Sequence, residues 1–478
     1  MTYWSKQVKN KMIYKYVGKV LITFSILMII PIIVCLFYHE DITYFLYPAL
    51  LCLLTGFLLS RIKVEKKYLY AKDGFIIVSL SWILISIFGS LPLFLSHSTD
   101  IISAIFEAVS ALTTTGSTVF EDVESLSHSI LFWRSYMHFI GGMGIITFVM
   151  AIVPLSKNDK SMHLLNAEMP GTNSEKIVAS TKKMLIYLYL IYFTLTLSEI
   201  ILLGLGGESF FDSLLISMST TSTGGLTFMN NSLATLSNYS KIIVAIFMFL
   251  SGVNFNIYFL IVIKKFRNAF NSEELKVYIG LLIVSVIFIF INTYKLYSST
   301  IEGLINSVFH TTSIMTSTGF SVSNVNAYPS SCRVLLLFLM LVSACGGSTC
   351  GGFKISRLIL VFKTIKRDLL KVIHPSSVHV IKYDKKCVSD ELINSNNTFM
   401  FLYAMFIVVI MFIVSLNGFN FDVTLNSVFS TFANTGLCFN IYNYADFSAL
   451  SKIALSLGML LGRLEIFPLI VLFSDLRK

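Results

Sequence analysis

Apolar residues in this chain come in long runs. A helix needs roughly 20 apolar residues to cross a bilayer. Runs of that order lie near 18–38, 43–60, 75–96, 130–153, 184–205, 241–263, 277–294, 333–361, 399–418 and 450–473. From the third run onward, shorter amphiphilic stretches fall between neighbours, at about 100–113, 211–221, 303–316 and 424–433. Each is too short to cross a bilayer as a helix, yet each lies between two runs that can. Irregular backbone is tolerated at membrane depth only inside protein or along a water-filled path. These stretches therefore predict re-entrant helices.

Each short stretch ends in a similar corner: Thr-Thr-Gly at 114–116, Ser-Thr-Gly at 222–224, Ser-Thr-Gly at 317–319 and Asn-Thr-Gly at 434–436. The glycines Gly116, Gly224, Gly319 and Gly436 stand 108, 95 and 117 residues apart. A repeat of that length predicts four copies of one unit about an axis. Glycine tolerates positive φ and so turns its neighbours' carbonyls where a Cβ would block them. Carbonyl oxygens replace the hydration shell of a desolvated alkali cation. The candidate cation ligands are therefore Thr114, Thr115, Gly116, Thr223, Gly224, Thr318, Gly319, Asn434, Thr435 and Gly436. An acid stands near the start of each stretch (Asp100, Asp212, Glu302, Asp422), where it offsets the positive end of the helix dipole.

Composition excludes a soluble protein. Of 478 residues, 55% are hydrophobic and 13% charged, against about 25% charged in soluble domains. The net charge of +10 is not a nucleic-acid patch, because its lysines and arginines cluster in alternate loops while 97–129 and 206–240 hold none. That is the positive-inside pattern, and it puts both termini and the basic loops in the cytoplasm. The basic, then apolar, N-terminus lacks a small-residue cleavage site and reads as a retained helix. The seven cysteines form no extracellular framework. Neither His138 nor His310 sits in an HExxH or GxSxG pattern, and no GxGxxG or Walker motif is present, so nothing here points to an enzyme or a nucleotide site.

The run 344–352, Ala-Cys-Gly-Gly-Ser-Thr-Cys-Gly-Gly, interrupts an apolar stretch. Four glycines, each costing a helix about 0.8–1.0 kcal/mol relative to alanine, predict a break into a loop. Arg463 lies deep in the last run, where a lone cation costs roughly 2.5–3.5 kcal/mol. Glu465 is two residues away and on another helix face, so the carbonyls freed at 345–352 are the better partner. Lys354 follows the loop closely. The thiols of Cys345 and Cys350 are near in sequence, but the reducing side of the membrane disfavours their pairing.

Several stretches carry a resemblance: Thr113–Gly116, Trp133-Arg134 leading to Gly141-Gly-Met-Gly144, Ser222–Gly225, Ser317–Ser321 and Leu461–Phe467. Through them nearly the whole chain resembles the TrkH type of the Trk/Ktr/HKT superfamily of potassium transporters. The resemblance implies an all-α polytopic membrane protein, with two leading helices and four span–pore helix–span repeats around a pseudo-fourfold pore. The divisions are 1–70 for the leading helices, then repeats at 71–156, 157–270, 271–386 and 387–478. It implies potassium passing a filter built on the four glycines. It also implies a gate at the intramembrane loop, formed by Gly346, Gly347, Ser348, Thr349, Gly351 and Gly352 with Arg463. No covalent cofactor is implied, and the potassium ion is the cargo.

The implied setting is a homodimer in the bacterial cytoplasmic (inner) membrane. A TrkA-like nucleotide-binding ring would dock on the basic loops 157–183 and 264–276 and on 363–397. Plant sodium transporters of the superfamily carry serine at the first filter position, so Gly116 favours potassium. The family's fourth corner often continues Pro-Gly, whereas here Leu437 and Cys438 follow. The alternative is therefore a sodium-permeable or ion-symporting member. No buried acidic relay stands out along the spans, which leans toward a channel-like path.

Overall fold

The computed structural model describes residues 2–64, 71–144, 181–375, 379–439 and 443–476. Among these the regular structure is helical apart from one small hairpin, Lys382–Tyr383 with Lys386–Cys387, and an isolated bridge between Val342 and Phe353. Six helices are long and apolar enough to cross a bilayer: Lys11–Tyr38, Thr43–Ser60, Lys72–Leu95, Leu185–Leu205, Glu273–Leu296 and Asp390–Ser415. Large apolar side chains stand exposed along them, Leu58, Phe193, Val284 and Phe412 among them, as expected of surfaces that meet lipid. The first and second of these helices touch at a small-residue crossing. A Cβ on Gly18 would lie 2.7 Å from Gly56 O, so only glycine permits the approach. Trp133 ties this leading pair to the rest, packing on Phe24 and Phe45 and donating to Gly89 O at 2.9 Å.

Four shorter helices occupy the predicted re-entrant stretches: Ile101–Leu112, Phe210–Thr221, Thr300–Met315 and Phe421–Phe432. Their N-terminal acids divide into two kinds. Asp100 is the cap itself, accepting from Ile102 N and Ser103 N at 3.1 and 3.2 Å. Hydrogen bonding from Ser103, above all, holds its carboxyl below the ordinary value. In the second and third helices Ser209 and Ser299 are the caps, and Asp212, Glu302 and Asp422 sit inside the first turn.

The helices that follow the short ones depart most from expectation. The predicted spans 241–263 and 450–473 are not single helices. Asn238–Gly252 meets Phe255–Val262 at 89°, and Ala449–Arg463 meets Phe467–Ser474 at 116°. At the first bend Val253 is extended and Asn254 starts a new helix by accepting from Asn256 N at 2.9 Å. At the second, Glu465 and Ile466 hold φ of 57° and 65°, which no helix continues through. The predicted span 333–361 is likewise two helices, Ser330–Leu341 and Ile355–Ile373, joined by a loop at 342–354. The helix His128–Gly142 fills the start of the predicted span 130–153, whose end lies outside the described residues, as does the basic loop 157–180.

Candidate functional site

All four short helices end the same way. In each, the residue two beyond the last helical one has positive φ: Thr114 (55°), Thr223 (57°), Ser317 (52°) and Asn434 (54°). Its amide bonds back to Ala111, Thr220, Ile314 or Thr431 O, and the next amide to Ser110, Ser219, Ser313 or Ser430 O at 2.7–2.9 Å. These paired bonds are the Schellman termination, which usually takes glycine at the left-handed position. Here Thr, Ser and Asn hold it, a conformation that costs of order 1–3 kcal/mol each and persists only where the surroundings enforce it. Two residues further on a glycine again has positive φ: Gly116 (83°), Gly225 (78°), Gly319 (82°) and Gly436 (76°). Along an extended backbone successive carbonyls alternate sides. A positive φ at every second residue undoes that alternation and turns successive carbonyls the same way.

The register of the second corner therefore differs from the sequence expectation. Gly225, not Gly224, is the counterpart of Gly116, Gly319 and Gly436, and Gly224 occupies the place of Thr115, Thr318 and Thr435. The reason is local. A Cβ on Gly224 would lie 2.2 Å from His138 Nδ1, so the buried imidazole fills the space a threonine side chain takes in the other corners.

The corners meet in a closed cycle. A Cβ on Gly116 would lie 2.2 Å from Gly224 O, one on Gly225 1.7 Å from Thr318 O, one on Gly319 1.8 Å from Thr435 O, and one on Gly436 2.2 Å from Thr115 O. First touches second, second third, third fourth, and fourth first. The four carbonyls at these contacts, of Thr115, Gly224, Thr318 and Thr435, share one register. Asn434 adds a side-chain tie across the last joint, donating from Nδ2 to Thr115 Oγ1 and to Met459 O, both at 2.9 Å. The threonine hydroxyls Thr113 and Thr316 bond their own helices at Val109 O and Thr312 O, both 2.7 Å. The C-terminal ends of four helices thus converge, and their partial negative charge favours a cation there.

The loop 342–354 lies against the inner ends of these corners. Thr349 Oγ1 donates to Thr221 O and Ser251 O at 3.0 and 3.3 Å, and Gly351 N donates to Ser317 Oγ at 3.2 Å. A Cβ on Gly351 would lie 2.5 Å from Asn434 Cβ, and one on Gly352 2.9 Å from Ala433 O. Arg463 holds the loop from the other side, donating to Thr349 O at 2.6 Å and to Gly141 O and Gly142 O at 2.7 Å each. One loop carbonyl, that of Thr349, is thus among its partners, and the other two carbonyls end the helix His128–Gly142. Glu465 pairs instead with Arg357. Lys354 is buried and bonds Cys350 O and Gly351 O within the loop. Cys345 and Cys350 are free thiols. Gly346 is reached by a residue absent from the sequence-based set: Glu274, buried, whose Oε1 accepts from Gly346 N at 2.7 Å and Ser356 N at 3.1 Å. Gly347 O accepts from Phe255 N at 3.0 Å, and Ser348 Oγ donates to Cys345 O at 2.6 Å. A cavity of about 40 Å³ beside the loop, bordered by Gly142, Gly347, Ser348 and Arg463, has space for only a few waters.

Comparisons with known proteins give the chain a family and a fold. The family profile described as TrkH, cation transport protein, matches residues 44–477. The chain is 32% identical over 476 residues to the Trk system potassium uptake protein TrkH of Salmonella typhimurium, covering 97% of this chain and 98% of that one. It is 31% identical over 466 residues to TrkG, the Trk system potassium uptake protein of Escherichia coli, at 94% and 95% coverage. The crystal structure of the potassium transporter TrkH from Vibrio parahaemolyticus superposes with a TM-score of 0.86 at 28% identity, covering 97% of this chain and 98% of that one.

Proposed function

Because this chain belongs to the TrkH family of cation transport proteins, a family of multi-pass membrane transporters and not of enzymes, we propose that it takes up potassium through the ring of four corners. The observation that carries the reading is the closed cycle of backbone contacts, in which one carbonyl of matching register stands at each joint. In this reading Thr114, Thr115 and Gly116, Thr223, Gly224 and Gly225, Thr318 and Gly319, and Asn434, Thr435 and Gly436 form the filter. Their carbonyls replace the water a desolvated ion gives up. Rigid spacing of those oxygens, held by Schellman bonds and by Asn434, favours potassium over the smaller sodium ion. The ion is cargo and not a resident cofactor.

The loop 342–354 closes the path below the ring, and Arg463 latches it. A guanidinium beneath the ring also repels cations from the closed path. Opening requires the Arg463 bond to Thr349 O to break, which frees the loop from the last helix. The relatives named above are Trk system proteins, and we infer the same setting here. The chain would be the membrane subunit, in a bacterial cytoplasmic membrane with both termini inside, paired as a homodimer and served by a cytoplasmic nucleotide-binding ring. The alternating basic loops support that orientation.

The test is rubidium tracer flux into proteoliposomes of the purified chain, with potassium and sodium as competitors. Potassium competing far better than sodium supports the reading. Equal competition refutes the potassium filter.

A further inference from the structure

Two corner helices carry a matching polar group behind the ring, and the other two do not. Five residues before its last residue, the first short helix has Glu107 and the third has His310, both fully buried. Each accepts the amide that lies three residues past its own corner glycine. Val119 N donates to Glu107 Oε2 at 3.0 Å, and Val322 N donates to His310 Nε2 at 3.2 Å. Each is also tied outward. Arg134 Nε donates to Glu107 Oε1 at 2.8 Å, and His310 Nδ1 lies 2.9 Å from Tyr328 Oη.

Both ties return to the segment that leaves the corner. Arg134 Nη2 donates to Thr118 Oγ1 at 3.1 Å, and Thr118 Oγ1 donates to Glu107 Oε1 at 3.1 Å. In the third repeat Tyr328 Oη meets Tyr297 Oη at 2.7 Å, and that hydroxyl meets Ser323 Oγ at 2.9 Å. Geometry fixes the imidazole tautomer. Val322 N–H can only donate, so Nε2 accepts and Nδ1 carries the proton toward Tyr328.

The same register position holds Ile216 in the second helix and Ser427 in the fourth. Isoleucine has no acceptor, and Ser427 Oγ donates within its own helix to Thr424 O at 3.0 Å. The second corner leans on its neighbours, and the fourth does so in part, its own Cys438 Sγ also meeting Asn426 O at 3.6 Å and Tyr444 Oη at 2.7 Å. Arg134 Nη1 donates to Thr227 O at 3.2 Å, and Leu233 N to Ser321 O at 3.0 Å, holding the second. Tyr444 N donates to Thr118 O at 2.8 Å, holding the fourth. Since the contact cycle runs first, second, third, fourth, the two braced corners face each other across the ring.

We propose that Glu107 with Arg134 and His310 with Tyr328 are paired positioning braces that set how well the ring discriminates between potassium and sodium. The proposal rests on the filter reading above. The braces touch no ion; they fix the backbone just past each of two opposite corner glycines, and through their neighbours the other two. Losing one brace lets the oxygens relax toward a smaller ion. The expected signature is lost discrimination with transport retained.

The test compares Tyr328→Phe, His310→Gln and Glu107→Gln with Ser427→Ala and Ile216→Val in the same proteoliposome flux assay. One lost hydrogen bond corresponds to a fall of about three- to tenfold in the potassium-over-sodium competition ratio. That fall is expected in the first three variants, with rubidium flux preserved, and not in the last two. A further variant, His310→Ala, loses the acceptor for Val322 N as well as the tie to Tyr328, so its fall should exceed that of His310→Gln, which keeps an acceptor. Tyr328→Phe removes a single hydroxyl and keeps the test open if the Glu107 variant fails to fold. An unchanged ratio in folded Tyr328→Phe and His310→Ala overturns the proposal. A wild-type protein without potassium preference refutes the filter reading itself, which separates the two failures.

Discussion

Gly225 and Gly224 are neighbours whose substitution should have opposite genetics. A Cβ on Gly225 would stand 1.7 Å from Thr318 O, while ordinary contact begins near 3.4 Å. The carbonyl of the third corner must therefore retreat by more than 1.5 Å or so, because backbone on both sides leaves nothing softer to yield. The φ of 78° adds strain for alanine, about 1–2 kcal/mol. A Cβ on Gly224 instead meets a side chain, His138, at 2.2 Å, and Gly224 has no positive φ. Gly225→Ala should lower the potassium-over-sodium competition ratio at least tenfold, about 1.4 kcal/mol of discrimination, and His138→Ala should not restore it. Gly224→Ala should also impair the ratio, but His138→Ala in the same chain should recover most of it. The assay is rubidium flux with both competitors, alongside monodispersity of the purified variants in detergent. Wild-type discrimination in Gly225→Ala, or its rescue by His138→Ala, would refute the assigned register and with it the contact cycle.

Three further outcomes follow from the same contacts. Arg463→Ala removes three hydrogen bonds to Thr349, Gly141 and Gly142, so basal flux should rise; a folded variant with no flux would make the arginine structural. Glu274→Ala strands the amides of Gly346 and Ser356, about 1–3 kcal/mol for each, and should raise basal flux, whereas Glu274→Gln keeps an acceptor and should stay near wild type. Gly56→Leu forces apart a crossing where a Cβ would lie 2.9 Å from Gly18 O. It should lower thermal stability by about 1–3 kcal/mol and leave ion competition unchanged, as read by a detergent melting curve and the flux assay.

The long apolar runs were legible because bilayer thickness imposes them, and Thr43–Ser60 falls where its composition alone puts it. The short helices were legible for the converse reason, being too short to span. The second corner was misaligned by one residue because the Ser-Thr-Gly triad at 222–224 copies the one at 317–319. A longer pattern carries the true register. A serine stands six residues before each corner glycine, at 110, 219, 313 and 430, and its carbonyl accepts the Schellman amide in all four. The bends after Gly252 and Arg463 are marked in the sequence only by single polar residues, Asn254 and Glu465, inside runs whose apolar residues on either side read as one span. They arise from docking: a Cβ on Gly462 would lie 2.1 Å from Phe432 O, and one on Gly252 2.9 Å from Thr316 Cγ2. Glu274 reads in sequence as an ordinary acid at a helix start, and only folding brings it to a loop 72 residues away. Arg463 was legible in part, because a membrane arginine demands partners and the loop supplies one at Thr349 O; the carbonyls of Gly141 and Gly142, more than 300 residues away in sequence, are brought to it only by folding.

The measurement that goes most directly to the central claim is anomalous diffraction from crystals grown in rubidium or thallium. The account predicts an ion peak enclosed by the four corners, next to the carbonyls of Thr115, Gly224, Thr318 and Thr435, that sodium does not displace. A ring that stays empty while the protein transports rubidium would contradict it.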